Sequence, residues 1–144
     1  YGAYAANSMR LEKGYRGWGS DLTTERTPLE SGLIPFVKST NRTFTGREAM
    51  LFRQGDDAWD MVLLEVETGP VDPFYSHPVY RGDRVVGVVT SGAYGHRTAK
   101  VLALAYLRDP TARYDLSIRI LGKIRQSSIL ENPPYDPTNL RLKD

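Results

Sequence analysis

From Tyr4 to Tyr15 the apolar positions Tyr4, Leu11 and Tyr15 recur at i, i+7 and i+11, which predicts a helix with one narrow apolar stripe. No Pro interrupts the stretch, and Gly14 falls where a helix stop belongs. Gly17 and Gly19 then break the pattern around Trp18. Thr27-Pro28-Leu29-Glu30 reads as an N-cap, a Pro at the first helical position and an acid at the third. That is a capping box, in which the carboxylate satisfies N–H groups the helix itself cannot. Phe36-Val37-Lys38 reads as a short strand, and Thr45-Gly46-Arg47-Glu48 as another helix start leading Ala49 to Arg53.

From Ala58 the period changes. Trp59 to Glu67 is rich in strand formers. Pro78-Val79-Tyr80 and Val85 to Thr90 flank Arg81-Gly82-Asp83-Arg84, which predicts a hairpin. Thr90-Ser91-Gly92-Ala93-Tyr94-Gly95 has turn composition. Lys100 to Tyr106 is almost wholly apolar, as in a strand buried on both faces. Asp115 to Leu121 and Ile124 to Leu130 form a second hairpin around Gly122-Lys123, and Asp109-Pro110 and Asn132-Pro133-Pro134 punctuate loops. About five short strands predict a small antiparallel barrel, since closure removes exposed edges. The fold class is α+β, divided near Gly55-Asp56-Asp57 into a helical part, 1–55, and a β-barrel, 56–144.

The 144 residues suffice for a core without disulfides or metals. Lys and Arg number 19 against 17 Asp and Glu, a net +2 that excludes a strongly basic nucleic-acid binder. There is no Cys, which removes zinc fingers, iron–sulfur clusters and thiol catalysis. His77 and His96 are the only histidines, so no metal site is expected. The longest apolar run, Val101 to Leu107, is too short to cross a bilayer, and no membrane partner is expected. The chain starts at Tyr1 with no signal-peptide pattern, which reads as an excised piece of a longer protein.

No catalytic residue emerges. Ser91, His96, Asp83 and Asp109 lack the G-x-S-x-G context of a nucleophile elbow. Asp56-Asp57 reads as a loop, and Glu65 and Glu67 as one solvated strand face. Gly14 to Gly19 is neither a phosphate loop nor a dinucleotide fingerprint. Tyr15, Arg16, Trp18, Tyr94, His96, Arg97 and Arg119 could stack on RNA, but Trp18 and Tyr94 lie in expected turns rather than on adjacent strands, so no nucleic-acid partner is expected. Arg10, Glu12, Trp18 and Glu30 read as structural, with Arg10 pairing to Glu30 and tying the helix to the Pro28 turn.

Taken in order, Ser8 to Arg16, Trp18-Gly19, Thr27 to Leu33, Phe44 to Ala49, Pro78 to Tyr80, Gly87 to Gly92, Leu102 to Tyr106 and Pro134 to Asn139 resemble the aminomethyltransferase (glycine-cleavage T-protein) family. The Arg-Leu-Glu-Lys-Gly-Tyr-Arg-x-Trp-Gly form resembles the folate-linked C-terminal half of dimethylglycine and sarcosine dehydrogenases. The resemblance implies that residues 1–55 end a folate-binding middle domain and that 56–144 form the C-terminal barrel. It implies tetrahydrofolate, held mostly by upstream parts, and FAD as a possible cofactor of the parent. Where T-proteins carry a folate-binding Arg four residues before Arg10 this chain has Ala6, and where they carry a Tyr after Pro-Thr-Asn it has Leu140. Tyr94 and His96 are the candidates for lining the folate cavity. The expected partners are the small-molecule folate and the upstream domains, and the expected location is the cytoplasm, or the mitochondrial matrix in a eukaryote. The rival reading is a non-catalytic regulatory or scaffold module of the same fold. An oligonucleotide-binding barrel is a third.

Overall fold

The computed structural model describes residues 2–37, 43–52, 58–69, 71–108, 111 and 113–143. Helix α1 spans Ala3–Glu12 and α2 Arg47–Phe52, with 3-10 turns at Ile34–Phe36 and Leu140–Leu142. Six strands follow α2: β1 Asp60–Val66, β2 Pro78–Arg81, β3 Arg84–Gly95, β4 Lys100–Leu107, β5 Leu116–Ile120 and β6 Lys123–Leu130. They close an antiparallel barrel in the order β1-β4-β3-β2-β5-β6, with β6 returning to β1. The chain is therefore α+β, with its helices ahead of a small barrel.

Side-chain alternation along a strand, period two, builds two cores from one sheet. On β4, Val101, Ala103, Ala105 and Leu107 point into the barrel and meet Val62, Leu64 and Val66 of β1, together with Ile118 and Ile120 of β5. The intervening Leu102, Leu104 and Tyr106 point outward and pack with Met61, Leu63, Ala93 and Leu11 of α1. Both faces of β4 are buried, as its apolar run predicts.

Helix α1 is rich in Ala and straight-chain residues, which lose little freedom in a helix. Its end is a Schellman motif: Gly14 N–H donates to the Leu11 carbonyl at 2.9 Å and Tyr15 N–H to that of Arg10 at 2.8 Å. Gly14 adopts φ +66°, which the motif demands. The predicted stripe is corrected: Tyr4 is 94% exposed and Tyr15 lies beyond the helix. The buried face is Ser8, Leu11 and Glu12, because the surface beneath requires donors and acceptors as well as carbon.

Three further expectations change. Residues 90–95 are not a turn but the second half of β3, paired with β4 through Gly95 and Lys100. The second hairpin turns at Leu121-Gly122, both at positive φ as a two-residue type I′ loop requires, one residue before the expected place. Ile34–Phe36 is a 3-10 turn rather than the start of a strand. Lys38, Arg53, Gly55-Asp56-Asp57 and Asp109-Pro110 lie outside the described residues.

Candidate functional site

Strand β3 is twelve residues long and β2 only four, so β2 pairs with β3 no further than Val88. The second half of β3 is left with one open edge. An open edge needs partners for its backbone groups, and α1 supplies them. Asn7 Nδ2 donates to the Gly92 carbonyl at 3.2 Å and Ser8 Oγ to the Tyr94 carbonyl at 2.7 Å. Glu12 Oε1 accepts from Arg97 N–H at 2.8 Å, Thr98 N–H at 2.7 Å and the Thr98 hydroxyl at 2.9 Å. A Cβ on Gly95 would lie 2.8 Å from Glu12 Cγ, so a side chain there would displace the carboxylate.

Asp21 is the central polar group of this joint and is fully buried. Its Oδ1 accepts from Thr90 Oγ1 at 2.5 Å and Ser91 Oγ at 2.6 Å. Its Oδ2 accepts from Gly17 N–H and from Arg10 Nη1, each at 2.7 Å. Successive strand residues ordinarily face opposite ways, yet both hydroxyls reach one oxygen. The reason is a register shift between Val89 and Ser91, which makes Thr90 the extra residue of a bulge. Arg10 therefore pairs with Asp21, not with Glu30 as the sequence suggests.

Glu30 completes the capping box instead. Its Oε2 accepts from Thr27 N–H at 2.7 Å and the Thr27 hydroxyl at 2.9 Å, while its own N–H donates to Thr27 Oγ1 at 3.2 Å. The box forms on a single turn, closed by Ser31 N–H to the Thr27 carbonyl and Leu33 N–H to that of Pro28. Glu30 Oε1 also takes Trp59 N–H at 3.3 Å, and Met61 N–H donates to the Glu30 carbonyl at 2.9 Å. Burial pushes the Glu30 carboxyl up, but the bonds from Thr27 and Trp59 and the charge of Arg26 outweigh it and hold it below its ordinary value. Arg26 lies over the rings of Trp59 at 4.3 Å and Tyr106 at 5.2 Å. The Tyr106 hydroxyl donates to the Asp21 carbonyl at 2.9 Å, which leaves Ser31 Oγ, at 2.8 Å, as its donor. Burial, abetted by Glu30 and Asp21, raises the Tyr106 phenol above its usual range against the opposing Ser31 and Arg26.

The other sequence candidates fall around this joint. Trp18 bridges to Leu22 through its backbone while the residue is 78% exposed. Tyr94 and His96 meet edge to face with ring centroids 5.0 Å apart. Tyr94 also borders a cleft of about 610 Å³ with Glu65, Glu67, Asp72 and Lys100, where Lys100 pairs with Glu65. Ser91 Oγ donates to Asp21 and His77 Nδ1 accepts Phe74 N–H, while Asp109 lies outside the described residues. No group of His, Asp or Glu able to hold a metal occurs among the described residues. None of the described helices is long and apolar enough to cross a membrane. Sequence reading missed Asp21, Ser31 and Tyr106. The adjacent hydroxyls of Thr90 and Ser91 are the one local hint of an acceptor nearby.

Residues 60–136, β1 through the loop after β6, match the glycine cleavage T-protein C-terminal barrel domain. The chain belongs to that family. It is 34% identical over 149 residues to mitochondrial dimethylglycine dehydrogenase of Rattus norvegicus, covering 99% of this chain and 17% of the relative. Mitochondrial sarcosine dehydrogenase of Mus musculus is 29% identical over 152 residues, covering 99% of this chain and 16% of the relative. The crystal structure of glycine cleavage system aminomethyltransferase T from Bartonella henselae superposes with a TM-score of 0.78 at 25% identity, covering 92% of this chain and 38% of that one. The chain thus spans about a sixth of those dehydrogenases.

Folate, which the family implies, combines a flat pterin with an anionic glutamate tail. The cleft at Tyr94 sets three carboxylates, Glu65, Glu67 and Asp72, against Lys100 alone, and that lysine is already paired. Leu140, where T-proteins carry a Tyr, is largely exposed. These residues do not fit the anionic end of folate.

Proposed function

We propose that this chain is the closing element of a tetrahydrofolate-dependent aminomethyltransferase-like protein, in a parent of the dimethylglycine or sarcosine dehydrogenase type. On this reading residues 1–55 end the folate-binding domain, 56–144 form the barrel, and the barrel keeps water from the one-carbon unit. The carrying observation is the 99% coverage of this chain by the dehydrogenase relatives, which extends the likeness through α1 as well as the barrel. The α1–β3 joint supports it: a rigid polar seam fixes the barrel to the segment that leads into it. Tyr94 and His96 are proposed to border the cavity with their rings only, the anionic end of folate being held by upstream parts, with FAD carried elsewhere in the parent, and a mitochondrial matrix location follows if the source is eukaryotic.

A second reading, a regulatory or scaffold module, draws on the buried carboxylates. Asp21 and Glu12 accept four and three hydrogen bonds from their own chain, so both carboxylates serve to hold the fold together. Calorimetric titration of tetrahydrofolate into this chain, and into the chain extended upstream to the relatives' full length, separates the two. Binding by the extended protein alone is the expected result. Tight binding by the 144 residues alone would overturn the division of the site, and binding by neither would favour the regulatory reading.

A further inference from the structure

A second cleft, of about 290 Å³, opens beside β1 and the end of β6, with Arg16, Asp60, Leu63, Leu104, Arg113 and Leu130 among its walls. That is the lower edge of the range for small-molecule sites. Its two guanidinium groups differ. Arg113 is held, with Nη1 on Asp60 Oδ2 at 2.7 Å and Nη2 3.9 Å from Glu131 Oε1. Arg16 has no carboxylate partner among the described residues. Among the described residues its Nη1 reaches only the Gly14 carbonyl, at 3.4 Å, and its buried Nε has no acceptor.

Arg16 is nevertheless held in place. A Cβ on Gly32 would lie 2.7 Å from its Nη2, so that glycine, at φ +65°, leaves room for the guanidinium. A guanidinium cannot discharge itself by losing a proton, and its fork of donors matches a carboxylate. Leu63, Leu104 and Leu130 give the otherwise polar cleft a small apolar patch, against which a short carbon chain can lie. Asp60 and Glu131 on the rim disfavour more than one negative charge.

We propose that this cleft binds a small monocarboxylate on a short aliphatic body, with the carboxylate on Arg16 and the chain against Leu63, Leu104 and Leu130. The proposal is independent of the folate reading.

The test is hexanoate titrated into the 144-residue chain, followed by NMR of its leucine methyls, with hexanamide and inorganic phosphate as comparison probes. Saturable shifts at Leu63, Leu104 and Leu130 are expected with hexanoate, and binding weaker by at least about tenfold with the neutral amide. Arg16→Gln should weaken hexanoate by roughly ten- to a hundredfold and leave hexanamide unchanged. A thermal melt checks that the variant folds; if it does not, the comparison of probes on the unsubstituted chain decides. Equal binding of hexanoate and hexanamide would overturn the proposal. So would phosphate binding as well as hexanoate, shifts confined to the exposed Leu140 and Leu142 outside the cleft, or no saturation at concentrations on the order of 10 mM.

Discussion

At the scale of single residues, Asp21 matters most because it combines full burial, a charge and donors from three separate segments. Its partners lie 4, 11, 69 and 70 positions away in sequence. Replacing it by Ala strands Arg10, the Gly17 N–H and two hydroxyls at once. Asp21→Ala is therefore expected to cost roughly 3–5 kcal/mol, the usual loss when one side of a buried charge pair is removed. Arg10→Ala should cost less, about 2 kcal/mol, since three neutral donors stay on the carboxylate and the guanidinium is partly solvated. Urea unfolding of both variants measures the ordering, and an Arg10 variant as damaging as the Asp21 variant would contradict it. Tyr106 extends the same network to Ser31, which joins two segments that the sequence leaves unconnected.

At the scale of elements, the α1–β3 seam exists because β3 outruns β2 and needs its carbonyls and N–H groups satisfied. Gly14→Ala forces an L-residue to φ +66° and brings a Cβ to 3.0 Å from Pro133 Cγ, so a loss of about 1–2 kcal/mol is expected. Gly95→Ala pushes Glu12 from its three donors and should lose roughly 1–3 kcal/mol. Guanidinium melts give the two values, and a neutral Gly95→Ala would show that the seam yields easily. These glycines also explain what was legible. The strands could be read because β4 alternates between two apolar cores, which leaves a continuous apolar run in sequence. Residues 90–95 read as a turn in sequence because Gly and Ser are common turn residues. Gly92 and Gly95 are small for close approach instead: a Cβ on Gly92 would stand 2.3 Å from the Pro73 carbonyl oxygen. Backbone crowding by distant segments leaves no periodic trace. The capping box was legible for the opposite reason, being wholly local, although its turn never grows into a helix.

For the whole molecule, pH acts on the ties between the N-terminal segment, the barrel and the C-terminal tail. Glu30 binds the Pro28 turn to the start of β1. Asp136 binds the tail to α1 through Lys13, whose Nζ lies 2.9 Å from its Oδ2 and 2.6 Å from Asn139 Oδ1. The Lys13 hydrogen bond, helped by the lysine's charge, outweighs burial and lowers the Asp136 carboxyl, and Glu30 is lowered as described. A carboxyl depressed by folding adds stability above its unfolded pKa and loses it as pH falls through the folded one. Stability should therefore be full at neutral pH and decline below about pH 4.3, first through the loss of these two ties. Tyr106 runs the other way. Its raised phenol keeps its proton in the folded chain while the unfolded chain ionises, so stability should also fall as pH rises above about 10. Urea midpoints from pH 3 to 11 should trace a plateau with both shoulders. Glu30→Gln retains one acceptor oxygen and removes the charge, so it should lower the plateau and flatten the acid shoulder while leaving the alkaline one in place. An acid shoulder unchanged by that substitution would mean that the acid-sensitive tie lies elsewhere, with Asp136→Asn the variant to measure next.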